Sequence, residues 1–312
     1  GAGKTTNYLF VGADTWGYRM NADSLKVIGS RMNFNGHAIQ AHCFSSQDIN
    51  EYVIAGGNLY TIGLLTTLPR RLNDARLKAA LSGNAPTLAG RLNAWRNSIY
   101  SGGLVAFDDA SGTAVVMELS ASGNKVYPFK ATYSEPDPFT GDDASVTGNP
   151  FSGCTLVDMS GTTAMSHVAL LTQNSRSNEY SLAVVEPNLF ISSSKAGTSY
   201  PMQRISYKGN DTPSHIALRP EHNSAYVAAG NKVYLYDLQR QASSSPDAYI
   251  TLGASEVVQS MILSGGTRLY IATYDGSAGA VYSYDVSGST ALKLWRDTSL
   301  GKVVKLVYRE PR

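Results

Sequence analysis

Ser214-His-Ile-Ala-Leu-Arg-Pro-Glu-His-Asn-Ser-Ala-Tyr-Val-Ala-Ala-Gly-Asn-Lys-Val-Tyr-Leu-Tyr-Asp237 and the stretch from Gln259 to Asp285 are two copies of one pattern. The second copy reads Gln-Ser-Met-Ile-Leu-Ser-Gly-Gly-Thr-Arg-Leu-Tyr-Ile-Ala-Thr-Tyr, passes a Gly-Ser turn and ends in Val281-Tyr-Ser-Tyr-Asp285. Leu218 matches Leu263 at a spacing of 45, Tyr226 matches Tyr270 at 44, and Tyr236-Asp237 matches Tyr284-Asp285 at 48. An earlier copy, Tyr52-Val-Ile-Ala-Gly-Gly-Asn-Leu-Tyr60, stands close to Tyr226-Val-Ala-Ala-Gly-Asn-Lys-Val-Tyr234. Each unit reads as strand, turn, strand, Gly-Asn turn, strand and polar link, which is an antiparallel meander.

A period of about 40–50 residues with about four strands per unit marks an all-β ring of blades, a β-propeller. One such sheet cannot bury both faces alone, so blades stack around an axis. The first strand of each unit is expected innermost: Ala38–Cys43, Leu104–Asp108, Thr155–Met159, His215–Arg219, Val258–Leu263 and Val303–Val307. Six blades are therefore expected in one domain over residues 1–312, or seven if the stretch near Trp95–Tyr100 hides another. Lys302–Tyr308 reads as a lone inner strand, while Asn7–Val11 and Ser24–Ile28 read as later strands of a blade that lacks one. Pairing the two chain ends closes the ring and removes exposed sheet edges.

Two insertions interrupt the pattern. Residues 67–98 carry apolar positions at helical spacing (Leu68, Leu72, Ala75, Ala79) and a basic run from Arg70 to Arg96 of net charge +5. Helical spacing of this kind predicts a helix over Thr67–Ser82. Residues 134–148 form an acidic loop with Glu135, Asp137, Asp142 and Asp143. We expect the basic insertion to meet an anionic partner or the acidic loop of a second copy.

Composition narrows the function classes. The chain is 43% hydrophobic and 16% charged, with net charge +2, which excludes a disordered tail and argues against nucleic-acid binding over the whole surface. No apolar run reaches the ~18 residues of a membrane helix. Two cysteines, Cys43 and Cys154, exclude a disulfide scaffold and a multi-cysteine zinc module. The 29 glycines and 19 tyrosines fit a turn-rich β protein. Low Lys and Glu with abundant Ser, Thr and Asn suggest an extracytoplasmic location, at the cell surface or in the periplasm, with any lipid anchor outside this sequence. Gly1-Ala-Gly-Lys-Thr-Thr6 imitates a phosphate-binding loop but lacks the preceding strand and following helix that such a loop needs.

The candidate site residues are aromatic side chains in a turn-like segment and in the basic insertion, acidic side chains at strand ends and imidazoles on inner strands. Trp16, Tyr18, Trp95 and Tyr100 can stack on a sugar face or anchor a protein partner. Trp295 reads instead as a packing residue of an outer strand. Asp108, Asp109 and Asp158 lie at or just after expected inner strands, where channel carboxylates can hold calcium or act as acid and base. His42 and His215 sit on expected inner strands and can face the channel. The five histidines show no metal-binding spacing, so no metal ligand set is expected from them and calcium is the one cofactor considered.

The repeats, particularly Tyr226–Asp237 and Leu104-Val-Ala-Phe-Asp-Asp-Ala-Ser-Gly-Thr113, resemble blades of propeller domains in surface lipoproteins of gut Bacteroides, which often carry PKD-like modules. That resemblance implies an extracytoplasmic protein, with nutrient capture as its task. Sialidase boxes, the Tyr-Trp-Thr-Asp repeat of receptor propellers and the Trp-Asp signature of WD40 blades are absent from the sequence. The expected function is a non-catalytic binding protein holding a glycan, peptide or protein partner on one propeller face. The alternative is a hydrolase or lyase with carboxylates at the channel mouth, assisted by calcium.

Overall fold

The structure is a computed structural model that describes residues 8–24, 26–44, 51–63, 66–72, 91–95, 103–108, 113–118, 125–129, 154–161, 167–174, 176–186, 189 and 203–309. Among these residues the strands form four-stranded antiparallel sheets arranged as a β-propeller. The closing sheet takes its inner strand from the end of the chain: β24 (Lys305–Arg309) pairs with β1 (Tyr8–Ala13), followed by β2 (Trp16–Asn21) and β3 (Val27–Asn33). Five blades run as consecutive strands. They are β4–β7 (Ile39–Phe44, Glu51–Ala55, Asn58–Ile62, Arg70–Arg71) and β8–β11 (Arg91–Trp95, Gly103–Asp108, Thr113–Glu118, Lys125–Phe129). Next come β12–β15 (Cys154–Gly161, Val168–Asn174, Tyr180–Val185, Gln203–Ser206) and β16–β19 (Pro213–Leu218, Ser224–Ala229, Lys232–Asp237, Ala248–Thr251). The last is β20–β23 (Val257–Ser264, Arg268–Tyr274, Gly279–Asp285, Leu292–Asp297).

The inner strands touch in the order β24, β4, β8, β12, β16, β20 and back to β24, which closes the ring. The expected pairing of the chain ends is present: Tyr8 to Gly12 lie opposite Arg309 to Lys305. Gly12 lets the two strands approach, because a Cβ there would lie 3.0 Å from the Cβ of Lys305. Between β5 and β6, Gly56 and Gly57 both have positive φ (57° and 71°), the backbone that a tight two-residue hairpin needs.

Two parts of the expected blade plan are corrected. The inner strand of the third blade is Arg91–Trp95, and Leu104–Asp108 lies in the second strand of that same blade, paired with it. Trp95 thus ends the inner strand of a four-stranded blade, residues 96–100 lie outside the described residues, and no seventh sheet is formed among those described. The continuous apolar run of Leu104–Phe107 looks like a buried inner strand, but a second strand packed on both faces has the same composition. The helix expected over Thr67–Ser82 does not start as expected: residues 66–72 are not helical, with Arg70–Arg71 forming β7, and the remainder lies outside the described residues, as does the acidic loop 134–148.

Hydrophobic clusters lie between blades and bind the ring together. Tyr226, Ala228 and Val233 pack against Met261, Leu263 and Leu269 of the next blade. Leu9, Val11 and Met20 pack against Tyr270, Ala272 and Val281 in the same way, together with Val303 and Leu306 ahead of and within β24. Tyr226 and Tyr270, the matched tyrosines of the repeat, are both fully buried in these seams. Trp295 lies on the outer strand β23 and packs on Tyr270, with ring centroids 5.9 Å apart, in the role its sequence position suggests.

Candidate functional site

Four inner strands of described register carry a β-bulge near their beginning: between Ile39 and Ala41, Leu156 and Asp158, Pro213 and His215, and Val258 and Ser260. A bulge adds a residue and re-aims the next side chain. The residues after the bulges are Ala41, Asp158, His215 and Ser260. With Lys305 near the start of β24, they line one cavity of about 60 Å³ on the propeller axis. The order of the inner strands places Lys305 and Asp158 on opposite sides, with His215 and Ser260 between them on one arc and Ala41 on the other.

Part of this ring also cross-links blades. Ile216 N–H of β16 donates to Asp158 Oδ2 of β12 at 2.8 Å, and Leu306 N–H of β24 donates to Ser260 Oγ of β20 at 2.9 Å. His215 Nδ1 lies 2.8 Å from Ser214 Oγ, and that hydroxyl donates to Ala228 O at 3.4 Å. Both contacts are satisfied when Nδ1 carries the proton and donates it. Ser260→Ala leaves the buried Leu306 N–H without its acceptor, so a stability loss of about 1–3 kcal/mol is expected. Urea unfolding followed by circular dichroism measures it, with Ser260→Thr retaining most of the stability.

Of the expected site residues, Asp158 and His215 meet at the cavity, which His42 also borders. Trp16 begins β2, where the Arg31 guanidinium covers its ring at 3.8 Å. Tyr18, also on β2, packs against the seam built around Leu9 and Tyr270. Neither lines the axial cavity. Trp95 closes the inner strand β8 and Asp108 closes β9, where only their backbone is described. Tyr100 and Asp109 lie outside the described residues. Ser260 and Lys305 were not singled out in the sequence, although a signal existed: they follow His215 by 45 and 90 residues, the repeat spacing itself.

His42 is on an inner strand as expected, but its ring leaves the axis for the seam between blades. It stacks on Phe10 with centroids 3.7 Å apart, and its Nε2 lies 3.7 Å from Glu51 Oε2, an electrostatic contact longer than a hydrogen bond. Glu51 is 1% exposed and accepts from Tyr8 OH and from Arg19 Nε, the latter at 3.3 Å. Arg19 also donates to Gly63 O and Thr66 O. Burial holds the His42 imidazole below its ordinary 6.5 against the pull of Glu51. Burial alone would raise the Glu51 carboxyl, but His42, Arg19 and Tyr8 outweigh it and keep it below its ordinary 4.5. This cluster fastens the closing blade to its neighbour.

A histidine pair lies where β12 and β16 end: His167 and His222 stack at 3.6 Å, with Glu186 3.1 Å from His167 Nε2. Among the described residues no three His, Cys, Asp or Glu side chains converge to hold a metal ion, and no helix is long and apolar enough to cross a membrane.

No known protein-family model matches the chain, and no curated protein matches its sequence. Solved structures do match its fold. A chain of a nidogen/laminin complex aligns over 97% of this chain and 98% of its own length, with a TM-score of 0.61 and 7% identity. A protein from Lactobacillus plantarum aligns over 98% and 100% (TM-score 0.57, 13% identity). A protein of unknown function from Bacteroides caccae aligns over 98% and 100% (TM-score 0.54, 13% identity). At such identities the likeness is one of fold, the β-propeller.

Proposed function

We propose that the chain is a non-catalytic binding protein whose ligand enters the axial cavity at the end where the inner strands begin. The observation that carries this reading is the ring of post-bulge residues. Bulges at one register in separate blades turn Asp158, His215 and Ser260 onto one cavity beside Lys305. Asp158 and Ser260 double as interblade acceptors, which suits a rigid, preformed site better than groups that must gain and lose protons during turnover. A cavity of about 60 Å³ takes one small group, so a glycan or protein would rest across the mouth and insert that group. Propeller chains in a nidogen/laminin complex and in a mitotic checkpoint complex accord with a partner-holding role. The Ser-, Thr- and Asn-rich composition accords with an extracytoplasmic setting.

The test is a glycan array and a displayed random-peptide library, each probed with and without calcium. Wild-type protein is compared with Lys305→Glu and Ala41→Phe, both checked for native circular dichroism. Ligands whose binding falls more than tenfold in both variants support a site at the mouth. Ligands held equally by all three proteins place the binding surface elsewhere and overturn the reading. Hydrolysis of an array ligand that stops with Asp158→Asn overturns its non-catalytic part.

A further inference from the structure

We infer that the axial mouth is a subsite for a small zwitterion of the amino-acid class, a reading that rests on the binding function proposed above. The argument starts with charge. Lys305 and Asp158 line the same cavity, and two inner strands separate them in either direction around the ring. An ammonium on one wall and a carboxylate on the facing wall complement a ligand carrying the reverse pair. A purely anionic ligand would place its charge beside Asp158, and a purely cationic one beside Lys305. Between them His215 and Ser260 supply polar groups for the body of the ligand, while Ala41 leaves space on the other arc.

Size points the same way. A cavity needs about 10–15 Å³ to hold one water, so about 60 Å³ has room for four to six heavy atoms. Glycine and alanine carry five and six heavy atoms, whereas a monosaccharide is about twice as large. Preorganisation adds to this, because Asp158 is already anchored by Ile216 N–H and Ser260 by Leu306 N–H, so little side-chain freedom is lost on binding.

The test is isothermal titration calorimetry of the whole chain with glycine, alanine and β-alanine. Alanine amide, which keeps only the ammonium, and N-acetylalanine, which keeps only the carboxylate, serve as controls. Zwitterions should bind at least tenfold more tightly than either control. Lys305→Met and Asp158→Asn should each weaken zwitterion binding at least tenfold. Asparagine can still accept from Ile216 N–H, so its fold is kept, and circular dichroism verifies this. Equal binding of alanine and N-acetylalanine, or no heat with any amino acid, overturns the inference. If amino acids fail while an array ligand still depends on Lys305 and Ala41, the zwitterion assignment alone falls. If both fail, the binding function falls with it.

Discussion

Glu51→Ala is expected to lower the free energy of unfolding by about 3–5 kcal/mol, the cost of removing one partner from a buried charged pair. The carboxylate serves both Tyr8 OH and Arg19 Nε and lies against His42, so its loss removes the counter-charge of a buried guanidinium and an acceptor of the phenol together. A domain's net stability is only about 5–15 kcal/mol, so this single change removes much of it. Glu51→Gln keeps the acceptor oxygen but drops the charge, and its cost should be intermediate. Chemical unfolding at pH 7 ranks the three proteins; equal midpoints would show that Arg19 is satisfied by Gly63 and Thr66 alone.

The same cluster sets the acid limit of stability. Above 6.5 His42 is neutral in both folded and unfolded chains. As pH falls below that value the unfolded chain takes up a proton that the buried ring refuses, and stability declines. His167, lowered chiefly by burial and then by His222, acts in the same direction. Glu51 is ionised in both states above 4.5, so its contribution is whole there and is lost as pH falls through its depressed folded value. Unfolding free energy should therefore decline in two stages on acidification. In Glu51→Ala the second stage should be shallower.

Removal of residues 302–312 is expected to abolish cooperative folding. β24 is the inner strand of the closing blade, and with the residues leading into it buries Val303, Leu306 and Val307 at 0%, 3% and 8% exposure. At about 1.5–3 kcal/mol for each buried aliphatic side chain, the loss rivals the stability of the whole domain. It also exposes β1 as an unpaired edge, which invites aggregation. A synthetic peptide of residues 302–312 added to the truncated chain should restore a sharp thermal transition in proportion to its concentration. A truncated chain that melts like the parent would show that ring closure contributes little.

Fold class was legible in the residues because it depends on local pattern and spacing. The repeat at 44–48 residues, the Gly-Asn and Gly-Gly turns and the matched Tyr226 and Tyr270 belong to chain geometry that each blade repeats independently. Closure by β24 was legible as well, since a strand without partners at each end of the chain calls for the other. The third blade was misread because apolar content cannot tell an innermost strand from the buried strand beside it.

The site was only half legible, and the reason is physical. Alternation along a strand tells which residues share a face, but a bulge inserts a residue and reverses that alternation, and nothing in composition marks Val157, Ser214 or Gln259 as the extra residue. Bulges therefore decided that Asp158, His215 and Ser260 share the axis. Which charges confront each other was decided by ring order: Lys305 and Asp158 are 147 residues apart in the chain and meet across one cavity. The same is true of Tyr8, Arg19, His42 and Glu51, four residues on separate strands. Blade packing alone turned them into the buried latch between the closing blade and the next. The amino-acid sequence by itself determined the repeating sheet and the need to close it; the tertiary ring determined which side chains face the axis and which are sealed in the seams.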